Sequence, residues 1–196
     1  AGLGLGLNFL ATPAGEDGRG GVPVHLLARA VLGRAATLDA AVALLAALPR
    51  GGSVNLMLAD AAGAVASVEV SPAAVTVMRP TGGLVAHAND FEHPERRYAV
   101  PAPARSRRIR ARLGTCTAAG VDDLRLALAD HTADTGRVCH HFGQTYTLAT
   151  VAVDPVRRRL YARRGPACAG PRVLVLHRPQ TTRTRAKRSF SVGLGL

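Results

Sequence analysis

Several residues in this 196-residue chain are of types that do chemistry. Asn89 closes the stretch Leu84-Val85-Ala86-His87-Ala88-Asn89, which reads as a strand. An amide at a strand end can donate its NH2 to the developing oxyanion of an acyl-transfer site. The plainer reading, that Asn favours turns, is the stronger one on the residues alone. His87 has the chemistry of a general base, although a hydrogen-bonded structural histidine accounts for it more simply. Cys139-His140-His141 places metal-binding residue types in a row. Neighbours on a strand point to opposite faces, so three in succession do not converge easily. The expectation there is a structural or loop cluster, with no metal site. Cys116, Cys139 and Cys168 each lack an evident neighbouring base and read as small buried hydrophobes.

The bulk properties narrow the classes. Apolar residues make up 47% of the chain, enough for a real core in one domain. No apolar run reaches 18 residues, so no transmembrane helix is expected. Three cysteines without a CxxC spacing argue against a disulfide framework and for a cytoplasmic location. The net charge of +12 invites a nucleic-acid partner. Against this, Lys187 is the only lysine, there is no Trp, and half of the net charge lies in the tail from Pro171 onward. A nucleic-acid reader usually interleaves a basic face with aromatics. Coding bias in a GC-rich genome accounts for the arginines.

The elements that must position these residues follow from periodicity. Gly2, Gly4 and Gly6 alternate with Leu3, Leu5 and Leu7, which predicts a strand with one leucine face and one bare face. A bare face admits a backbone or a substrate closely. The GxGxG spacing lacks the following helix and acid of a dinucleotide site, and no cofactor is expected. Gly21-Val22-Pro23 opens a helix to about Leu32. Thr37 caps a second helix that buries Leu38, Val42, Leu45 and Leu48 and ends at Pro49 to Gly52. Ser53 to Ala59, Ala64 to Val70, Ala74 to Met78 and Leu84 to Ala88 then read as an antiparallel meander. Arg105 to Leu113 and Val121 to His131 read as helices, and Tyr146 to Val153, Leu160 to Ala162 and Val173 to Leu176 as strands. This order suits an α+β layered sandwich. Residues 1–178 form the predicted domain, and the polar, basic residues 179–196 a disordered tail.

Five stretches, taken together and in order, resemble the acyl-coenzyme A:6-aminopenicillanate acyltransferase family, also called peptidase family C45. They are Leu3 to Leu10, Gly21 to Arg29, Ser53 to Asp60 with Val68-Glu69-Val70-Ser71-Pro72, Val85-Ala86-His87-Ala88-Asn89, and Val138-Cys139 with Thr147 to Asp154 and Gly165-Pro166. The resemblance spans residues 1 to about 176. It implies the four-layer αββα sandwich of N-terminal-nucleophile hydrolases, here incomplete at its N-terminus. It also implies a precursor that cleaves itself before a cysteine. That thiol then attacks an amide or thioester carbonyl, with its own α-amino group as base. Asn89 falls on the family's oxyanion-hole asparagine, which reverses the plainer reading above.

Two departures bear on activity. The family's nucleophilic Cys and a nearby Asp lie ahead of the strand that opens this sequence, and the opening in mid-pattern without Met reads as a fragment. Cys116-Thr117 is similar to an N-terminal-nucleophile start, but cleavage there would discard the helix pair and the meander. Some members also carry an Arg where this chain has Gly143-Gln144-Thr145-Tyr146. The expected function is an amide hydrolase or acyltransferase acting on a small-molecule amide or acyl thioester, with no membrane partner. The alternatives are a scaffold that kept the fold and lost the chemistry, serving as a binding module, and a basic nucleic-acid-associated protein acting through its tail.

Overall fold

The computed structural model describes residues 2–12, 15–16, 20–93, 104–114, 120–132, 137–141, 146–170 and 174–177. Cys116, the Gly143-Gln144-Thr145 stretch and the tail 179–196 lie outside the described residues.

The leucine–glycine alternation forms strand β1 (Leu3–Phe9), and the α1 (Val24–Arg34) and α2 (Leu38–Ala47) helices follow. Strands β2 (Val54–Asp60), β3 (Val65–Val70) and β4 (Val75–Met78) come next. All four strands form one antiparallel sheet in the order β1-β2-β3-β4. The register puts Leu5 opposite Leu58, Leu7 opposite Leu56, and Leu56 opposite Val68. With a side-chain period of two, the leucines of β1 share a face with Val54, Leu56, Leu58, Val68 and Val70. α1 and α2 cover that face, burying Leu27, Val31, Leu38, Ala41 and Leu45 against it. Fully burying such a side chain stabilises the fold by about 1.5–3 kcal/mol.

Helix ends are tied to the sheet by side chains. Thr37 Oγ1 accepts the Ala40 amide at 3.3 Å, the cap its position predicts. Asp60, at the β2–β3 turn, accepts the Leu38 amide at 3.0 Å and the Ala62 and Ala64 amides at 3.0 Å each. These bonds, the one from Leu38 foremost, hold its carboxyl below the usual range against the opposing effect of burial. Arg50 closes the helical pair by donating to the carbonyls of Leu45, Ala46, Leu48, Ser71 and Pro72.

The predicted fourth meander strand, Leu84 to Ala88, is not one. Beyond a single bridge between Thr81 and Leu84, the chain leaves the sheet and carries Ala86, His87 and Ala88 inward as a buried loop. The sheet's fourth strand is β1 instead.

Helices α3 (Ala104–Leu113) and α4 (Val121–Leu128) pack on one another. The Arg108 guanidinium donates to the buried Asp130 carboxylate at 3.0 and 3.1 Å. Strands β5 (Ala149–Asp154), β6 (Arg159–Arg164) and β7 (Leu174–His177) form a second antiparallel sheet. Thr150, Ala152, Tyr161 and Arg163, on one face of it, line a cleft shared with Val121, Leu124 and Leu128 of α4. On the other face Val153 meets β1: a Cβ placed on Gly4 would lie 3.0 Å from Val153 Cγ1 and 3.1 Å from Pro155 Cγ. At Gly4 the bare face predicted for β1 thus admits the close approach of the second sheet. Among the described residues, no helix is long and apolar enough to cross a membrane.

Candidate functional site

The face of the first sheet opposite the helices carries polar side chains in its interior. Register sets Asn8 opposite Asn55 and Asn55 opposite Glu69, with Ser67 on the same face. Asn55 Nδ2 donates to Asn8 Oδ1 at 3.2 Å, and Ser67 Oγ donates to Asn55 Oδ1 at 2.7 Å. Asn55, Ser67 and Glu69 are buried, so this network is held by its internal bonds.

Glu69 anchors the loop that follows β4. His87 Nε2 lies 2.8 Å from Glu69 Oε1, and His87 Nδ1 lies 2.8 Å from the Ala88 carbonyl oxygen. A carbonyl only accepts, so Nδ1 carries a proton. The same Glu69 carboxylate accepts the backbone amides of Glu92 and His93. Both ring nitrogens of His87 are thus engaged inside the protein, and both side chains of the pair are fully buried. His87 is the structural histidine that its sequence suggested, with no ring nitrogen turned toward a substrate.

Asn89 sits on this anchored loop. Its Nδ2 donates to the carbonyl of Phe9, the last residue of β1, at 3.1 Å. Arg105 of α3 donates to its Oδ1 at 3.2 Å. A guanidinium has no acceptor, so this contact fixes which end of the amide is oxygen. The NH2 end is thereby turned to the end of β1, next to Asn8. Arg110 of α3 reinforces the loop by donating to the Ala86 carbonyl and to Glu92 Oε2, each at 2.8 Å. The strand that was to present Asn89 is thus a loop, clamped from below by Glu69 and from the side by two arginines.

A model of the acyl-coenzyme A:6-aminopenicillanic acid acyl-transferase family matches residues 1–166. The chain belongs to this family. Among curated proteins none matches it. Family membership suggests acyltransferase or amide-hydrolase activity on a small-molecule acyl substrate.

Within this acyltransferase-family chain, sequence reasoning singled out Asn89 and His87 but passed over Glu69 and the arginines of α3. The signal for Glu69 was present. It is an acid inside Val68-Glu69-Val70, on the face opposite the valines, where an uncompensated charge has no place. Arg105 and Arg110 gave no such signal, because basic residues on a helix usually face solvent. Cys139 is buried 3.7 Å from Cys168, sulfur to sulfur. Burial, with the facing thiol, pushes the Cys139 thiol up, which makes it a poor nucleophile at neutral pH. Cys139 is buried, as its sequence reading expected.

Proposed function

We propose that this protein is an N-terminal-nucleophile amide hydrolase or acyltransferase of the peptidase C45 type, with Asn89 as an oxyanion donor. Its fold in this reading is a four-layer αββα sandwich. The α1–α2 pair on one sheet, the approach of Val153 to Gly4, and α4 over β5 and β6 support that stacking. The nucleophile is a cysteine freed by self-cleavage ahead of β1, with its α-amino group as base. The thiol attacks the carbonyl of an amide or acyl thioester, and the carbonyl oxygen takes up negative charge. The Asn89 NH2, which has a second hydrogen besides the one on Phe9 O, stabilises that charge. Collapse expels the amine or thiol, and water or an acceptor amine removes the acyl group.

The observation that carries this reading is the orientation of the Asn89 amide, locked between Phe9 O and Arg105 at the end of the glycine-bearing strand. Preorganised donors lose no free energy to reorientation at the moment of reaction. In the enzyme carrying the cysteine, Asn89→Ala should lower turnover roughly 100-fold or more, about 3 kcal/mol of barrier, with an unchanged circular dichroism spectrum. Near-normal turnover in that variant removes Asn89 from the mechanism.

A further inference from the structure

Four side chains from three separate segments, none of them a partner of Asn89, meet at one point. His131 follows α4, Cys139 and His141 belong to the segment 137–141, and Cys168 lies in the short 3-10 turn Ala167–Ala169 after β6. One ligand atom from each lies within 4.8 Å of all the others. His131 Nε2 and His141 Nε2 are 2.7 Å apart, and the two sulfurs 3.7 Å apart. We propose that His131, Cys139, His141 and Cys168 bind one zinc ion as a closed structural site.

The donor set and its spacing argue for this metal. Two thiolates and two imidazoles in a tetrahedron are a standard structural zinc environment, with Zn–S of about 2.3 Å and Zn–N of about 2.0–2.1 Å. A tetrahedron with those bonds sets its sulfurs about 3.8 Å apart and its nitrogens about 3.3 Å apart. The observed sulfur separation matches, and the imidazoles need to part by about half an ångström. Four protein ligands leave no open position, which makes the site structural. Zinc binding releases the two thiol protons to solvent and involves no redox change.

The sequence expectation of no metal site rested on adjacent residues facing opposite ways. That reasoning removes His140, which is outside the cluster. It leaves Cys139 and His141, two apart, which the fold brings to the same point. A Cys139–Cys168 disulfide would explain the sulfurs but not why two imidazole nitrogens converge on them.

The test uses the full-length protein, purified under reductant and without chelator, with zinc measured by mass spectrometry of the metal. One zinc per chain is expected. Replacement by Co(II) should give the visible bands of a tetrahedral ion together with thiolate-to-cobalt charge transfer. His131 is exposed, so His131→Ala opens no core. It should weaken zinc binding by more than the roughly 10–100-fold that even an outer-shell partner is worth, with helix and strand content unchanged. Absence of bound zinc after zinc loading overturns the proposal. So does a Cys139–Cys168 disulfide found by peptide mapping of reduced-purified protein, and so does undiminished zinc binding by His131→Ala.

Discussion

The first sheet with its two helices and the second sheet with α3 and α4 use the same elements but are held together differently. In the former, Leu27, Val31, Leu38, Leu45, Leu56, Leu58 and Val68 form one continuous buried cluster. In the latter, Leu124, Leu126, Val151 and Val153 are exposed, and among the described residues the buried apolar side chains are small or few. What replaces them is polar: the Arg108–Asp130 pair and the Cys2His2 cluster. A region that buries little apolar surface needs another source of cohesion, and a metal crosslink is one that small domains use.

This difference can be broken by measurement. The largest expected effect is Leu56→Ala, a deletion in the centre of the cluster. It should cost about 3–4 kcal/mol in urea unfolding, against no more than about 0.5 kcal/mol for Leu126→Ala in α4. Comparable costs for the two would erase the distinction. Glu69→Gln comes next, at about 2 kcal/mol, because His87 and the Glu92 and His93 amides lose a charged partner. Hydrogen exchange should quicken at the Glu92 and His93 amides while α1 and α2 keep their protection.

Acid should act on the first region through Asp60. Its folded carboxyl titrates below its unfolded value, so the stabilisation is full above the ordinary carboxylate range. It is lost as pH falls from about 4 through the lowered value. Asp60→Asn should flatten that acid limb, read from urea midpoints at successive pH values. The smallest effect is expected at Arg79, whose ion pair with Asp39 is mostly exposed. Arg79→Ala should change stability by less than about 0.5 kcal/mol at physiological salt.

The same contrast decided what the sequence could tell. Apolar periodicity placed α1, α2 and β1 to β3 within a residue or two, because burial wrote it into the order of leucines and valines. Leu84 to Ala88 has the composition of a strand and is not one. Its buried length is held by Glu69 and the α3 arginines, partners that no local window contains. The cluster of His131, Cys139, His141 and Cys168 was hidden for a related reason. Cys168 arrives from 29 residues beyond Cys139, through the β5–β6 hairpin, and only the folded chain brings the two together. Asn89 was legible through family resemblance, whereas the contacts that orient its amide were not.

Gly4 has a mechanical consequence. Where β1 meets the second sheet, one partner offers bare backbone and the other the blunt ends of Val153 and Pro155. At that point the two sheets come closer than a side chain on β1 would allow without moving a neighbour. The neighbouring tie to β1 is of another kind: the loop from Ala86 to Glu92, gripped by Arg105 and Arg110 of α3, reaches the last residue of the strand through Asn89. The loop that fastens α3 to the end of β1 is therefore the same loop that carries Asn89.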